Sequence, residues 1–303
     1  MAAFDAVVRR KSSALPAPPV AAARPKALVT PRPLGLQSGS ALSQERPRPM
    51  DMPKNRFKAA LTTGTHQLGI WNTVGGNTIP EMLAGAGFDW VLVDCEHAAV
   101  ETVEVLPALQ AIGQSPEVSA IVRPAANDPV LFKRLLDMGA QTLLVPYIET
   151  AAQARDAVSA MRYGPHGIRG MAGMTRATRY GQVDRYFTEA ETELCLVLQV
   201  ETVAGLNALE EIATTEGVDA VFIGPADLSA SLGYPGQFNH PEVLAAIDDA
   251  FARLAKLGVP KGIMALDPKA AQGYIAGGSQ FTAVGVDLVL LAEATAALRA
   301  QFP

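Results

Sequence analysis

The chain has 303 residues, of which 49% are hydrophobic and 18% charged, and its formal net charge is −5. This length provides a core for one large α/β domain or two smaller ones. The acidic balance gives no footprint for nucleic acid, and no apolar run reaches the roughly 18 residues of a membrane span. Cys95 and Cys195 each lie in or beside a strand-like run. This predicts buried free thiols in a reducing compartment, the cytoplasm, rather than a disulfide or a thiolate metal site.

The first 50 residues differ in composition from the rest of the chain. They contain eight Arg or Lys against two acidic residues, are rich in Pro, Ala and Ser, and show no apolar period. This composition is typical of disorder. The segment lacks the apolar stretch of a secretory signal, which leaves an organelle transit peptide or an upstream extension. We favour an extension, because folded-looking sequence begins at Asn55, and we predict a disordered extension over residues 1–52 and a folded domain over residues 53–303.

Strand-like and helix-like segments alternate from residue 68 to the end of the chain. The predicted strands are short apolar runs over residues 68–71, 90–93, 118–122, 141–145, 194–200, 218–223, 261–265 and 281–284. The predicted helices follow them over residues 78–86, 101–112, 128–138, 150–161, 203–214, 240–257, 267–277 and 286–299. Several begin with a proline in the first turn and end at a glycine, which is the usual asymmetry of helix ends.

The count of eight strand–helix pairs predicts a (β/α)8 barrel, the TIM-barrel fold, with its site at the carboxyl ends of the strands. A doubly wound open sheet is the alternative, but it usually carries a glycine-rich turn after its first strand, and residues 71–76 match that turn poorly. One connection, residues 162–186, is long, polar and rich in Gly and Arg. Such loops are usually functional or disordered.

Two acidic residues follow neighbouring predicted strands. Glu201 closes the run 194–200, and Asp227 follows the run 218–223, with a helix between them. Strands joined by a helix are usually parallel neighbours, so both carboxylates are expected at the same end of the barrel. Such a pair suits a hard divalent cation, Mg²⁺ or Mn²⁺. The alternative is that both acids only cap the helices that follow.

Further polar residues follow the second and third strands. His97 has the pKa range of a general acid or base, or it is a helix-start histidine bonded to Asp94. Arg123 precedes Pro124, which favours an extended backbone and a side chain over the barrel mouth. There the guanidinium can bind a carboxylate and polarise a carbonyl. Its alternative is a structural ion pair with Asp94 or Glu96.

These residue types together indicate chemistry on a 2-oxo acid. Gln199 alternates with Glu201 and is expected on the same, barrel-directed side. A divalent cation chelated by a 2-oxo acid acts as a Lewis acid and lowers the cost of forming the enolate. Arg123 would stabilise the developing oxyanion, and a base near His97 would move the proton. Lys261 is the candidate for a Schiff base, but it begins its strand and therefore lies at the wrong end, so a metal-dependent route is favoured.

The sequence resembles the class II pyruvate aldolases of the HpcH/HpaI aldolase/citrate lyase superfamily. The resemblance is carried by ordered motifs over residues 81–97, 122–124, 141–146, 163–170, 199–202 and 221–234. Two positions depart from the family pattern. Cys95 stands where glycine is frequent, and Tyr180 where tryptophan is common, in a loop (residues 175–180) expected to border the aldehyde half of the site. These departures leave the identity of the substrate undetermined, but they do not change the expected reaction class.

The resemblance implies a role for each site residue. It implies Glu201 and Asp227 as ligands of Mg²⁺, Mn²⁺ or Co²⁺, His97 as the acid/base residue, and Arg123 as transition-state stabiliser and substrate contact. The further substrate contacts that it implies are Gln199, Ala226 and Asp227. The implied reaction cleaves a 4-hydroxy-2-oxo acid reversibly to pyruvate and an aldehyde, in the catabolism of aromatic or sugar acids.

Asp137 matches an aspartate that raises the basicity of the family's histidine. In this chain it is predicted near the end of a helix, on the opposite face of its own barrel, so it reaches His97 only from a neighbouring subunit. The family's assembly, a hexamer built as a trimer of dimers, agrees with that arrangement. The alternative is a structural aspartate beside Gly139.

Two other readings of the barrel stay open at this point. One is a lyase for another acid, either an oxaloacetate decarboxylase or a citryl-CoA-type enzyme, although no basic groove for a nucleotide is evident. The other is a non-catalytic barrel that binds small oxo acids. The presence of His97 beside Arg123, Glu201 and Asp227 argues against a simple binder, which has no use for an acid/base group.

Overall fold

Eight parallel strands pair in sequence order and close into a barrel in the computed structural model, which describes residues 49–303. The strands are β1 Gln67–Asn72, β2 Trp90–Asp94, β3 Ser119–Arg123, β4 Thr142–Val145, β5 Cys195–Val200, β6 Ala220–Ile223, β7 Lys261–Met264 and β8 Phe281–Val286. Every pairing is parallel, including that of β8 with β1. The predicted (β/α)8 barrel is confirmed, and each predicted strand lies within two residues of the observed one.

Helices follow the strands and form the outer layer. Within residues 49–303 they are α1 Arg56–Thr63, α2 Thr78–Ala84, α3 Thr102–Ile112, α4 Pro129–Asp137, α5 Ala151–Met161, α6 Tyr186–Glu193, α7 Val203–Asn207, α8 Leu209–Ala213, α9 Pro225–Ser231, α10 Pro241–Leu257, α11 Pro268–Ala276 and α12 Asp287–Arg299. Their caps agree with the sequence, since Asp128 and Asp267 accept hydrogen bonds from the first turns of α4 and α11.

The structure differs from the prediction in its short helices. The predicted helix 203–214 is broken at Ala208, whose backbone leaves the helical region, and forms α7 and α8. Helix α6 begins at the last residue of the predicted long connection, and α1, α6 and α9 were not predicted. These helices have five to eight residues, which is too short for an apolar period to be recognised.

The beginning of the described chain is anchored to the long loop. The Met50 N–H donates to the Gln182 carbonyl at 2.8 Å, and Asn55 caps α1. Of the disordered extension predicted over residues 1–52, residues 1–48 lie outside the described residues. Both cysteines are free, as predicted, with Cys195 buried inside the barrel and Cys95 only half-buried.

Large aromatic residues fill the barrel interior. Trp90 and Phe281 are fully buried, and each occupies space left by a glycine on the neighbouring strand, because a Cβ at Gly69 or Gly262 would overlap its ring. Phe57 of α1 closes the amino-terminal end and packs edge-on against Phe281, with ring centroids 5.3 Å apart. The interior is therefore a packed core, and the open site lies above it at the strand ends.

The last helix is unusual in its exposure. Asp287 is the one buried residue of α12, whereas Leu288, Leu290 and Leu291 are 54%, 49% and 54% exposed. Apolar side chains in this number are normally covered. Across residues 49–303, every helix falls short of the length and apolar character that crossing a membrane would require.

Candidate active site

An arginine–aspartate pair connects the ends of β2 and β3. Asp94 and Arg123 are the last residues of these strands and are paired in register. Arg123 Nε and Nη2 donate to Asp94 Oδ1 and Oδ2, both at 2.7 Å, and Nη1 lies 2.9 Å from Glu96 Oε2. The latter contact is an ion pair without hydrogen-bond geometry, so Glu96 Oε2 has no hydrogen-bond partner among the described residues. The guanidinium also lies 5.3 Å from the Trp71 ring centroid, which fixes its direction.

The carboxylate of Glu201 is held from two sides. Glu201 follows β5 directly and is 2% exposed. Its Oε1 accepts a hydrogen bond from the Tyr147 N–H at 2.9 Å, and its Oε2 accepts one from Gln199 Nε2. The amide oxygen of Gln199 is buried without a partner among the described residues. Gly224 makes room for this arrangement, because a Cβ there would lie 2.5 Å from Glu201 Oε2.

Asp227 belongs to the same group of acids. In the parallel pairing of β5 with β6, Val200 lies opposite Ile223, so Glu201 and Asp227 are at one end of the barrel, as predicted. Asp227 lies in the first turn of α9, after Pro225 at the helix start. Asp227 also raises the pKa of the Glu201 carboxyl through its charge. Ala226 is exposed beside it.

The site carries an excess of buried negative charge. Burial raises the pKa of Glu201 to about 7, although the hydrogen bonds from Gln199 and Tyr147 lower it, and the charges of Glu96 and Asp227 raise it further. Burial likewise raises the pKa of Glu96 to about 7, against the opposing effect of Arg123. A divalent cation would relieve this repulsion. The oxygen donors of Glu201, Asp227 and the unpartnered Gln199 amide fit such an ion.

The described residues provide a partial cation site. Residues 49–303 contain no group of three or more His, Cys, Asp or Glu arranged to hold a metal. Two carboxylates leave most positions of a hard cation free, and Mg²⁺ is commonly bound by one or two carboxylates together with substrate oxygens and water. The donor set therefore suits a cation that also binds substrate.

His97 lies at the rim of the site. Its side chain is 63% exposed, and its Nε2 is 3.8 Å from Glu96 Oε2. The alternative of a helix-start histidine bonded to Asp94 is wrong, because His97 lies outside any helix and the Asp94 carboxylate binds Arg123 and the Glu96 N–H. The imidazole is therefore open to solvent at the rim, beside the Glu96 carboxylate.

Asp137 lies on the opposite, amino-terminal face, as predicted. It is the last residue of α4, and its Oδ1 accepts a hydrogen bond from Arg169 Nη2 at 3.0 Å. Within one chain it is therefore separated from His97. Lys261 likewise begins β7 at this face, as predicted.

The loop of residues 175–180 corrects one prediction. Arg176 donates to the Met138 carbonyl at 2.9 Å and to the Leu109 carbonyl at 3.4 Å, at the ends of α4 and α3. These ends belong to the amino-terminal face, so within one chain the loop does not border the aldehyde half of the site. Motif resemblance gives the order of segments along the chain and not the face on which a long loop lies.

Sequence reasoning missed two residues of the site. Tyr147 follows β4 after Pro146, and Gly224 follows β6. The position of Tyr147 just past a strand was a usable signal, but its left-handed backbone, with φ of 59°, has no sequence signature for a tyrosine. The role of Gly224 depends on a side chain of the neighbouring strand, which is visible only in three dimensions.

Fold and site together define a (β/α)8-barrel enzyme whose polar residues converge at the carboxyl ends of the strands. The chain matches the family described as HpcH/HpaI aldolase/citrate lyase over residues 67–294. It is 54% identical over 253 residues to a pyruvate aldolase of Rhizobium etli, covering 84% of this chain and 99% of the relative. It is 47% identical over 250 residues to a 4-hydroxy-2-oxo-heptane-1,7-dioate aldolase of Escherichia coli, covering 82% and 95%.

A solved structure shares this architecture. It is a HpcH/HpaI aldolase/citrate lyase family protein from Burkholderia cenocepacia, with a TM-score of 0.79 and 38% identity, covering 82% of this chain and 99% of that one. The chain belongs to the HpcH/HpaI aldolase/citrate lyase family and is a lyase.

Proposed function

We propose that this protein is a metal-dependent class II pyruvate aldolase, which reversibly cleaves a 4-hydroxy-2-oxo acid to pyruvate and an aldehyde. The observation that carries the proposal is the convergence of Arg123 with the acids Glu96, Glu201 and Asp227 at one end of the barrel. The family relatives described above act on substrates of this type, and the roles that the resemblance implies fall on residues that meet here.

Glu201 and Asp227 hold the divalent cation in this proposal, and the candidate ions are Mg²⁺, Mn²⁺ and Co²⁺. When bound, the cation supplies Lewis-acid polarisation of a 2-oxo acid. The chain keeps Glu201 ready for this role through the Tyr147 N–H and the Gln199 amide. Hydrogen bonds of this kind orient a ligating carboxylate. Gln199, Ala226 and Asp227 contact the substrate.

Arg123 stabilises the negative charge that develops on the keto oxygen. Its guanidinium is 8% exposed and is held by Asp94 at two points, so little reorganisation is needed when charge develops. A rigid bidentate fork is a property of arginine that lysine does not share.

His97 moves the proton at the reacting carbon or hydroxyl. It is the exposed titratable group at the rim, 3.8 Å from Glu96, and geometry comes first in choosing a general acid or base. Asp137 raises the basicity of this histidine from a second copy of the chain, since within its own barrel it pairs with Arg169 on the opposite face.

A homo-oligomer, a hexamer built as a trimer of dimers, follows from the same proposal. The exposed apolar side chains of α12, including Leu288 and Leu291, would be covered by a second copy, and burial of such surface stabilises association. We place the protein in the cytoplasm, in agreement with its free Cys95 and Cys195.

The proposal is tested by exchange of the C3 protons of pyruvate in D₂O, followed by NMR with Mg²⁺ or Mn²⁺ and again after EDTA. We expect exchange that requires metal and is lost in Glu201→Ala. Glu216→Ala is the matched control, because the Glu216 side chain is 94% exposed, and it should exchange as the wild type does. A folded protein that exchanges under none of these metals would favour a non-catalytic oxo-acid-binding barrel instead.

A further inference from the structure

Tyr147 has a strained backbone at the edge of the site. Its φ is 59°, in the left-handed region that bulky residues rarely adopt. Such strain persists only where the surroundings hold it. Here the turn directs the Tyr147 N–H to Glu201 Oε1 at 2.9 Å, while Val145 and Ile148 on either side are buried.

The ring of Tyr147 points the other way. Tyr147 is 52% exposed, whereas its neighbours along the chain, Pro146 and Ile148, are buried. The strained turn therefore presents an aromatic ring to the mouth of the barrel while its backbone holds a buried carboxylate. A packing role does not explain a ring that stays half in solvent.

The surroundings of the phenol are acidic. Burial raises the pKa of the Tyr147 hydroxyl, and the charges of four nearby acids, Asp227, Glu201, Glu149 and Glu96, raise it further. A phenol can donate one hydrogen bond, and in the mouth of the barrel it brings a neutral donor among carboxylates. A cation on Glu201 and Asp227 would offset those two charges but would leave Glu149 and Glu96 near the phenol, so a neutral oxygen is favoured here over a substrate carboxylate.

The residues proposed to bind the pyruvate half of the substrate are much more buried than Tyr147. Arg123 and Gln199, which are proposed to act on the pyruvate half, are 7% and 3% exposed. Tyr147 lies beyond the end of β4 and is far more exposed, so it lies where the remainder of a longer substrate leaves the buried part of the site. Its ring is placed to contact the aldehyde half.

We propose that Tyr147 determines specificity for the aldehyde, with its hydroxyl donating a hydrogen bond to an oxygen next to the reacting carbonyl. The preferred class is an uncharged hydroxyaldehyde, over an unsubstituted aldehyde or one that carries a carboxylate. This inference rests on the proposed aldolase function.

The test compares glycolaldehyde, acetaldehyde and glyoxylate as partners of pyruvate in the condensation direction. Glycolaldehyde and acetaldehyde differ by one hydroxyl group, and glyoxylate carries a carboxylate. The wild type should favour glycolaldehyde in kcat/KM. Tyr147→Phe removes only the phenolic oxygen, and we expect it to lower kcat/KM for glycolaldehyde about tenfold, the value of one hydrogen bond, while acetaldehyde changes less than about twofold.

Tyr147→Gly separates the ring from the backbone. Glycine adopts the left-handed conformation without strain, so the N–H to Glu201 is retained while the ring is lost, and the preference for glycolaldehyde should again disappear. Tyr274→Phe is the matched control for the loss of a tyrosine hydroxyl, since Tyr274 packs against Phe251 in the helical layer with ring centroids 5.6 Å apart. It should keep the wild-type preference.

Exchange of pyruvate protons, which needs no aldehyde, distinguishes the two levels of inference. The assignment is supported if the wild-type protein exchanges pyruvate protons and both Tyr147 variants lose kcat/KM for glycolaldehyde alone. Wild-type exchange with equal losses for all three aldehydes overturns the role of Tyr147 and leaves the aldolase proposal standing. Absence of exchange in the wild type overturns both.

Discussion

The two faces of the barrel each carry an arginine–aspartate pair, and the pairs differ in their surroundings. At the carboxyl-terminal face Arg123 binds both oxygens of Asp94 at 2.7 Å. At the amino-terminal face Arg169 makes one hydrogen bond to Asp137, at 3.0 Å, and its guanidinium carbon lies 4.5 Å from the Tyr163 ring centroid. The Arg169 side chain is fully buried, and its Nε and Nη1 have no partner among the described residues.

The difference lies in charge balance and not in the pair itself. Around Arg123 are three further acids, Glu96, Glu201 and Asp227, which act on one another through buried surroundings. Arg169 instead packs between aromatic rings. An excess of like charge that is costly to bury is typical of a functional site, whereas a cation packed on rings serves to hold a loop in place.

The largest loss of pyruvate proton exchange is expected when the pair of Arg123 with Asp94 is broken. Arg123→Lys retains a positive charge but loses the fork that binds Asp94 at two points, so pyruvate proton exchange should fall by about 100-fold or more. Arg169→Lys is the matched change at the other face, and we expect it to lower the melting temperature while exchange falls less than about tenfold. Equal losses of exchange in both variants would show that the faces are not functionally distinct.

A smaller effect is expected when the space that Gly224 leaves beside Glu201 is filled. Gly224→Ala places a methyl group 2.5 Å from Glu201 Oε2, which displaces the carboxylate and should weaken Mn²⁺ binding about 10- to 100-fold in calorimetry. Gly273→Ala is the control, since a Cβ there meets nothing within 4 Å. Unchanged Mn²⁺ affinity in Gly224→Ala would argue against Glu201 as a ligand in the proposed metal site.

The charge excess also predicts how stability depends on pH. Burial raises the pKa of Glu201 and Glu96 to about 7, so between the unfolded value and about 7 the folded state binds more protons. Metal-free protein should therefore lose stability as pH rises from about 5 to 7.5, by about 1–3 kcal/mol. Mg²⁺ should reduce this loss if Glu201 and Asp227 hold it as proposed. Urea unfolding with EDTA or Mg²⁺ measures both, and a stability that rises over this range contradicts the prediction.

The smallest effect on proton exchange is expected from Asp137, which is proposed to act on His97 of a neighbouring subunit. If Asp137 acts on His97 of a neighbouring copy, Asp137→Asn should lower exchange about tenfold and His97→Ala by more. Mixed oligomers of the two variants then contain some sites with both wild-type residues and should regain activity. Mixing that restores nothing would confine Asp137 to its pair with Arg169.

Much of the fold followed from local pattern. Each barrel strand is an apolar run, because both of its faces are buried, and such runs were found within two residues of β1 to β8. The strand ends then placed Asp94, Arg123 and Glu201 at one rim without further information, since all strands of a barrel are parallel. The short helices α1, α6 and α9 were not predicted because they are too short to show a period, and the break at Ala208 between α7 and α8 was not predicted either.

The sequence by itself determined the barrel, the group of acids at its carboxyl-terminal rim and the separation of Asp137 from that rim. All three follow from the order in which strands and helices alternate and from the parallel direction of the strands. Only the tertiary structure decided the face occupied by residues 175–180, the space that Gly224 leaves for Glu201, and the left-handed turn of Tyr147. These depend on contacts between segments far apart in the chain. The energy of such a contact belongs to both segments together, and neither carries a local signal for it.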